Sequence, residues 1–401
     1  MTRPARVLML APHFDRVGGY ERQAYSLGRA FVRRGVSVWL VTDNYENRLP
    51  REHRAGVLVW RLSPPPSPWW LEPRRPWTPN TREQDLAVFL RQHADRYDAV
   101  HAHAFCPPCD VAMQVGRALG KPTLVKVATE GDPTEIARGA PALRPVWDRL
   151  MHADRFLCIS QAIVDEFRTL DVPTSKLVHV PNGVDSDLYR PATSTERRTM
   201  RAALGLGDDA VAFACVGRLA QRKAIDVLLT AWHRLPATAR ERATLLIVGD
   251  GEEGPRLRTL AAELGLGARV RFLGERQDVA TILHASDVFV FPSRREGLSN
   301  ALLEAMSSGL PVIASRIGGN VDVVEHGAQG LLCAPDDPDE LADAVARLAG
   351  DGEARRALAR AARERILASY AMDRILERLA RLYGIALLPA AAEGTKGDRA
   401  A

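Results

Sequence analysis

The sequence predicts an α/β protein with two Rossmann-like, doubly wound domains that face each other across a cleft. The chain has 401 residues, which suits two domains of ~100–200 residues each. Short apolar runs alternate with helical patterns along the chain, and these runs are nearly continuous, as parallel strands covered on both faces should be. The alternation is interrupted between residues 181 and 195, where Asn182-Gly183 and Pro191 break the pattern.

The apolar runs predict six strands in each half of the chain. In the first half they cover residues 7–12, 36–42, 57–62, 99–103, 123–129 and 155–160, with helices over segments such as 20–34 and 82–95. In the second half they cover residues 211–216, 244–248, 270–273, 288–291, 311–314 and 331–334. We therefore predict an N-terminal domain over residues 1–186, a C-terminal domain over 187–371, a further helix over 372–386 and a disordered tail over 387–401.

The composition is that of an ordinary globular protein, with 46% hydrophobic and 26% charged residues. The net charge of +5 comes from scattered arginines without a nucleic-acid-binding motif, so we expect no nucleic-acid partner. The alternative is that the arginines form a positive patch that attracts anionic substrates or a negatively charged membrane surface. No apolar run approaches the ~20 residues that span a bilayer, and residues 7–11 are too few for a signal peptide. We expect a cytoplasmic protein, with peripheral membrane association as an option and an oligomeric state that the sequence does not predict.

Segment 294–300 carries the strongest signal for a binding site. It follows the predicted strand 288–291 through a tight turn, and a helix is expected to start near Ser299. Free backbone N–H groups at such a helix start form a natural diphosphate site. Glu296 would lie just before the helix, in the cleft, and Glu304 just over one turn inside it, where a carboxylate can accept hydrogen bonds from a ribose diol. The N–H groups expected at this site belong to Leu298, Ser299 and Asn300.

A second signal follows the first predicted strand of the second half. Gly217 and Arg218 stand directly after strand 211–216, and Lys223 follows at the expected start of the next helix. Two fixed cations beside a helix N-terminus can neutralise a leaving diphosphate without a metal ion. Ligands bind outside the carboxyl ends of strands in open α/β sheets, which favours this interpretation over simple surface charge.

Two features of the first half also fall at the ends of predicted strands. Gly18 and Gly19 lie between the first strand and the first helix, where paired glycines let the backbone approach a bulky anion, with a plain turn as the alternative. His101 and His103 lie on the same face of strand 99–103. His103 is nearer to the strand end and is the better candidate to reach the cleft, although a structural role is equally open.

Residues 63–80 stand outside the pattern of strands and helices because they are rich in proline, which cannot continue a central strand. This loop contains Trp69, Trp70 and Trp77. The tryptophans can pack on one another, or they can form a ligand-binding or lid loop, since aromatic faces stack on sugar rings and also sit at membrane interfaces.

A rival interpretation comes from residues 249–254, which spell G-x-G-x-x-G after strand 244–248. Glu275 follows at roughly the distance of a ribose-binding acid, so the pattern is compatible with an NAD-dependent oxidoreductase. The motif lies at the second strand of its domain and not at the first, and it accounts for neither Lys223 nor Glu296.

Two residue clusters resemble metal sites but favour other roles. Cys106 and Cys109 form a lone CxxC pair, which is more typical of reduced loop thiols than of zinc. Asp336, Asp337 and Asp339 surround Pro338, where they would cap a helix. We therefore expect no essential metal and no cofactor besides the substrates.

Glu296 and Glu304 form the E-x7-E pattern of the retaining glycosyltransferases of family four, and other segments resemble the same family. Segment 217–223 is similar to its GRL-xxx-K motif, whereas Ala224 and Leu298 differ from the Gly and Phe that are frequent there. The resemblance covers nearly the whole second half of the chain, whereas in the first half it covers only the glycine loop and the His-x-His strand. The other similar segments are 180–185, 248–251, 270–274, 318–320 and 324–327.

The resemblance implies the GT-B fold, a nucleotide-sugar donor and retention of the anomeric configuration. Arg218 and Lys223 would stabilise the departing diphosphate, Glu296 would bind hydroxyls of the transferred sugar, and Glu304 would bind the ribose. His103 would touch the donor sugar or orient the acceptor. Further implied donor-binding residues are Gly18, Gly19, Gly217, Gly274, Leu298, Ser299 and Asn300.

The resemblance also implies that helix 372–386 returns to the first domain, which would hold the acceptor together with the tryptophan loop. UDP is the expected nucleotide, as in UDP-glucose or UDP-N-acetylglucosamine, and the acceptor would be a hydroxyl of a small molecule, antibiotic core, lipid or envelope glycan. A GT-B-fold phosphorylase, a nucleotide-sugar epimerase and a non-catalytic sugar-binding relative are the alternatives.

Overall fold

The computed structural model describes residues 5–12, 14, 19–44, 48–62, 81–207 and 209–389. Within these ranges the strands form one sheet of eight and one sheet of six. All strand pairs are parallel except one antiparallel pair at an edge of the first sheet, so the predicted α/β class with two Rossmann-like sheets is confirmed.

The first sheet has the strand order β3-β4-β2-β1-β5-β6-β7-β8. Its strands are β1 (Arg6–Leu10), β2 (Ser37–Asp43), β3 (Arg51–Arg54), β4 (Val57–Leu62), β5 (Ala99–Ala102), β6 (Thr123–Val127), β7 (Arg155–Cys158) and β8 (Leu177–His179). The helices between them are α1 (Gly19–Arg33), α2 (Thr81–Gln92), α3 (Pro107–Ala118), α4 (Asp132–Arg138), α5 (Arg144–Leu150) and α6 (Gln161–Arg168).

The second sheet has the strand order β11-β10-β9-β12-β13-β14. Its strands are β9 (Val211–Val216), β10 (Ala243–Val248), β11 (Val270–Phe272), β12 (Val288–Phe291), β13 (Val312–Ser315) and β14 (Gly330–Cys333). Its helices are α7 (Ser194–Ala203), α8 (Ile225–His233), α9 (Ala237–Arg242), α10 (Gly254–Glu263), α11 (Val279–Ala285), α12 (Asn300–Ser307), α13 (Gly318–Val323), α14 (Pro338–Gly350) and α15 (Gly352–Ser369). Helix α16 (Met372–Tyr383) follows.

The order of strands reverses once in each sheet, between β1 and β5 in the first and between β9 and β12 in the second. In open α/β sheets a crevice forms outside the carboxyl ends of the strands at this point, because the loops on either side turn away from each other. The loops after β9 and β12 contain both predicted motifs of the second half, so the fold brings them to one crevice.

Strand β1 shows how both faces of the first sheet are buried. Val7 and Met9 belong to one apolar cluster together with Leu27 of α1, whereas Leu8 and Leu10 belong to a second cluster. Alternate residues of a strand point to opposite faces, so helices must cover each face. This explains why the strand sequence is continuously apolar and does not alternate.

The chain passes between the two sheets twice, and the two passages run side by side. The N–H of Val184 donates to the Tyr370 carbonyl at 2.9 Å, and the N–H of Met372 donates to the Val184 carbonyl at 2.9 Å. Helix α16 then packs on α1, where Met372, Leu379 and Tyr383 join the apolar cluster of the first sheet. The late helix thus returns to the first sheet, whereas the proposed domain limits stay a prediction.

Two strands of the first sheet do not appear among the predicted ones. Strand β3 has the sequence Arg-Glu-His-Arg and pairs antiparallel with β4 at an edge, where charged side chains meet solvent. Strand β8 has three residues and forms the other edge. Strand β3 has no apolar residue and β8 has only three residues, so neither gives the longer apolar run of a central strand. The expectation of six strands was therefore too low.

Candidate active site

The two predicted motifs of the second half meet at the switch point of the sheet. Lys223 ends a single 3₁₀ turn after β9, and Glu296 lies in the loop after β12. Lys223 Nζ lies 2.5 Å from Glu296 Oε1 and 4.7 Å from the centre of the Phe291 ring. Burial lowers the pKa of Lys223, and the Glu296 carboxylate opposes that change. The result is a cation held in place at the mouth of the crevice.

Arg222 and Arg218 differ in how they take part in this arrangement. Arg222 Nη1 donates to the same Glu296 oxygen that Lys223 contacts. The Arg218 side chain is 72% exposed, and its Nη2 lies 3.1 Å from Glu252 Oε2. The structure therefore joins Lys223, Arg222 and Glu296, and it places Arg218 on the rim of the same crevice.

Glycines of the second half hold the neighbouring loops together. The N–H of Gly249 donates to the Gly274 carbonyl at 2.7 Å. A Cβ at Gly249 would collide with the Gly217 carbonyl, and a Cβ at Gly251 would collide with the backbone of Leu219. The glycine pattern after β10 is thus explained by close packing on the loop after β9, and it needs no dinucleotide.

Helix α12 begins where the sequence predicts it. Ser299 is the N-cap residue, and its Oγ accepts a hydrogen bond from the Leu302 N–H at 3.4 Å. Within the described ranges, the backbone N–H groups of Leu298, Ser299 and Asn300 donate to no protein acceptor. A helix start with free N–H groups suits a phosphate or diphosphate.

Asn300 connects this helix start to the first domain. Its Nδ2 donates to the Gly19 carbonyl at 2.8 Å, directly at the first residue of α1. Its Oδ1 accepts a hydrogen bond from Asn182 Nδ2 at 2.8 Å, and Asn182 Nδ2 also lies 3.3 Å from the Leu298 carbonyl. The loop before α1, the chain passage at Asn182 and the start of α12 therefore form one contact between the two sheets.

Glu304 lies one turn inside α12 and faces residues from other parts of the chain. The Tyr189 hydroxyl donates to its carboxylate, and the guanidinium of Arg22 on α1 lies close enough to interact electrostatically. Burial raises the pKa of Glu304 to about 7, although Arg22 and Tyr189 both oppose this change. At neutral pH this carboxyl group is therefore balanced between its protonated and ionised forms.

His103 differs from the expectation that it reaches the cleft. Its side chain is 0% exposed, and its ring stacks on that of His101 with 4.0 Å between ring centres. His101 Nδ1 lies 2.5 Å from the Tyr383 hydroxyl of α16. Burial lowers the pKa of His101 to about 3 and holds that of His103 well below its usual value. The ring points from the end of β5 towards the side covered by α16, so this structure does not join it to Lys223 and Glu296.

The remaining candidates behave as structural features. Cys106 Sγ and Cys109 Sγ are free thiols 3.7 Å apart. Asp337 caps α14, since its carboxylate accepts hydrogen bonds from the backbone N–H groups of Asp339 and Glu340. No group of three or more metal-ligating side chains is placed to hold a metal ion among the residues with described positions.

Some predicted residues lie outside the described ranges. These are Gly18 and the tryptophans Trp69, Trp70 and Trp77, together with residues 390–401 of the predicted tail. In the part of the chain that is described, no helix has the length and apolar character needed to cross a membrane.

Sequence reasoning missed several residues that line the site. Arg222 stands next to Lys223 in the chain, and a single sequence gives no reason to prefer one cation over its neighbour. Asn182 attracted notice as a break in the strand pattern, and its amide contact with Asn300 depends on the tertiary fold. Arg22 and Tyr189 reach Glu304 from distant segments, which no spacing in the sequence signals.

Comparisons with protein families agree for both halves of the chain. Residues 17–188 match the family described as Glycosyltransferase Family 4, and residues 196–365 match the family described as Glycosyl transferases group 1. The D-inositol 3-phosphate glycosyltransferase of Saccharomonospora viridis is 32% identical, and the match covers 90% of this chain and 90% of the relative. The N-acetyl-alpha-D-glucosaminyl L-malate synthase of Bacillus anthracis is 25% identical, with 92% and 94% covered.

A solved structure gives the same answer for the fold. The crystal structure of Anabaena Alr3699/HepE in complex with UDP superimposes with a TM-score of 0.77 at 22% identity, covering 94% of this chain and 99% of that one. The two sheets and the crevice at the second switch point therefore indicate the same family as the full-length relatives do. The chain belongs to glycosyltransferase family 4, has the GT-B fold and is a glycosyltransferase that uses a nucleotide-sugar donor.

Proposed function

We propose that the protein transfers a hexosyl group from a UDP-sugar to an acceptor hydroxyl, with retention of the anomeric configuration and without an essential metal ion. The observation that carries this proposal is the pair of Lys223 and Glu296 in one crevice, followed along the chain by the free N–H groups that begin α12. A fixed cation and a helix start are the groups that a departing diphosphate requires.

In the proposed reaction, the bond between the anomeric carbon and the diphosphate oxygen breaks while a bond to the acceptor oxygen forms on the same face of the sugar. The acceptor proton passes to a phosphate oxygen of the donor. Lys223 Nζ and the N–H groups of α12 stabilise the charge that develops on the diphosphate. Because these groups are positioned before the donor arrives, little reorganisation is needed in the transition state.

Two carboxylates complete the proposed donor site. Glu296 would accept hydrogen bonds from hydroxyls of the transferred sugar, while its contacts with Lys223 and Arg222 keep it oriented. Glu304 would accept hydrogen bonds from the ribose diol, since it lies one turn inside the helix whose start would bind the diphosphate. Arg218 on the rim would reach the diphosphate only after leaving Glu252.

The proposal of a UDP-sugar rests on the structural neighbour that binds UDP, whereas the acceptor proposal rests on one full-length relative, the D-inositol 3-phosphate glycosyltransferase. An inositol phosphate, which that relative's name specifies, is the first acceptor to test here. The hypothesis that Trp69, Trp70 and Trp77 bind the acceptor stays a prediction, since these residues lie outside the described ranges.

A donor screen tests the proposal directly. The protein is incubated with UDP-glucose, UDP-N-acetylglucosamine or GDP-mannose, with and without D-inositol 3-phosphate, and the released nucleoside diphosphate is measured. We expect one UDP-sugar to be consumed, the product to keep the anomeric configuration of the donor by NMR, and turnover to survive EDTA. Preference for GDP-mannose would reject the nucleotide, an inverted product would reject retention, and loss of turnover in EDTA with rescue by magnesium or manganese would reject metal independence.

A further inference from the structure

Glu130 lies in the loop between β6 and α4, at the edge of the first sheet that faces the second. A Cβ at Gly318, the first residue of α13, would collide with the Glu130 carboxylate. The carboxylate therefore rests directly on the backbone of the second domain. Its Oε1 is buried and has no hydrogen-bond donor in the described part of the protein.

The acidic residues around Glu130 are all supplied with donors. Glu166 accepts hydrogen bonds from the N–H groups of Gly131 and Thr134, each at 2.9 Å. Asp322 accepts one from the Gln161 N–H at 2.7 Å.

Glu296, the third acidic neighbour, is held by Lys223. Within this group Glu130 is the residue with a buried oxygen left over, and it is the one that faces both Glu296 and the exposed Arg295.

Such an oxygen is energetically unfavourable, because it has lost water without gaining a donor. Burial raises the pKa of Glu130, the neighbouring carboxylates of Glu166, Asp322 and Glu296 add to this, and Arg295 opposes it. A ligand hydroxyl could donate the missing hydrogen bond to Glu130 Oε1. The position of Glu130 between the two sheets and close to Glu296 indicates which ligand can supply that hydroxyl.

We propose that Glu130 accepts a hydrogen bond from a hydroxyl of the transferred sugar and so helps to select which hexose is transferred. This inference rests on the proposed function, in which Glu296 binds the same sugar from the second domain. The two carboxylates hold the ring from opposite sides of the cleft. A donor sugar must therefore present hydroxyls to both domains at once, whereas UDP without a sugar does not reach Glu130.

The test separates binding of the sugar from binding of the nucleotide. Using the donor from the screen that wild type turns over fastest, kcat/KM is measured together with the Kd of the free nucleoside diphosphate. We expect Glu130→Ala to lower kcat/KM by about 10- to 100-fold, the range for loss of a hydrogen bond to a charged group, and to leave the Kd of the diphosphate within about twofold of wild type. The kcat/KM of Glu130→Gln should fall between those of wild type and Glu130→Ala, because the amide oxygen of glutamine still accepts a hydrogen bond.

Glu135→Ala is the matched control, since Glu135 is an exposed carboxylate on the adjacent α4. This variant should leave kcat/KM and the Kd of the nucleoside diphosphate unchanged. The inference is overturned if Glu130→Ala keeps the wild-type kcat/KM, if it weakens diphosphate binding as much as turnover, or if it raises only the KM of the acceptor. A wild-type protein that consumes none of the three donors would instead reject the proposed function, and the inference would fall with it.

Discussion

The two sides of the cleft differ in how their charged groups are satisfied. On the second domain the charged groups at the crevice are paired before any ligand binds, as Lys223 and Arg222 are with Glu296. On the first domain, the buried Oε1 of Glu130 has no hydrogen-bond partner among the described residues. We interpret the second side as a preformed anion site and the first as a surface that is completed by its ligand.

Replacement of the central cation should have the largest effect. Lys223→Ala is expected to lower kcat by about 10²–10³-fold, because a fixed charge at the leaving group acts mainly in the transition state. Arg218→Ala, on the exposed rim, should cost clearly less, and circular dichroism should show both variants folded. Equal losses in the two variants would mean that the exposed Arg218 contributes as much as Lys223, so the second side would not be an anion site that is preformed around Lys223.

The contact through Asn300 joins the two sides and allows their coupling to be measured. Asn300→Ala should lower the free energy of unfolding by about 1–3 kcal/mol, since it removes the 2.8 Å hydrogen bonds to Asn182 and to the Gly19 carbonyl. Urea titration of Asn300→Ala, Asn182→Ala and the double variant gives the coupling energy, for which we expect about 0.5–3 kcal/mol. Additive effects would show that the two amides act independently.

The pH dependence of nucleotide binding should have the smallest effect. Because burial raises the pKa of Glu304 to about 7, this group is mostly protonated at pH 6 in the free protein. If the ribose hydroxyls favour the ionised form, binding releases a proton, so affinity for UDP rises with pH and levels off above about pH 7. We expect the Kd to fall by about 3- to 10-fold between pH 6 and 8.

Glu304→Gln supplies the control for this measurement, because the amide cannot ionise and UDP carries its own titrating phosphate. The variant should show only the pH dependence of UDP itself. A wild-type profile that coincides with that of Glu304→Gln would remove Glu304 from the nucleotide site.

The sequence predicted the second domain in more detail than the first. Glu296 and Lys223 are visible because each follows an apolar strand within a few residues, and the carboxyl ends of neighbouring parallel strands share one edge. Their 2.5 Å contact could not be predicted, since it depends on which strands flank the switch point. Strand β3 was missed because its four polar residues give no apolar signal.

The residues that cross the cleft were beyond sequence reasoning for a different reason. Glu130, Arg22 and Asn182 matter through contacts with the other half of the chain, and no local pattern encodes those contacts. The role of His103 in the cleft stays a prediction: its place at a strand end suggested the cleft, whereas its buried ring stacks on His101, which contacts α16. Which face of a strand a late helix will cover is decided by tertiary packing.

The return of α16 to the first sheet has a consequence for biosynthesis. Leu379 and Tyr383 fill the apolar face beside α1, yet the ribosome makes them only after the whole second sheet has been synthesised. The nascent first domain must therefore wait with part of its hydrophobic surface exposed to water, a condition that favours aggregation or chaperone binding. Folding of the first domain, which is synthesised first, is therefore completed only when α16 has been synthesised.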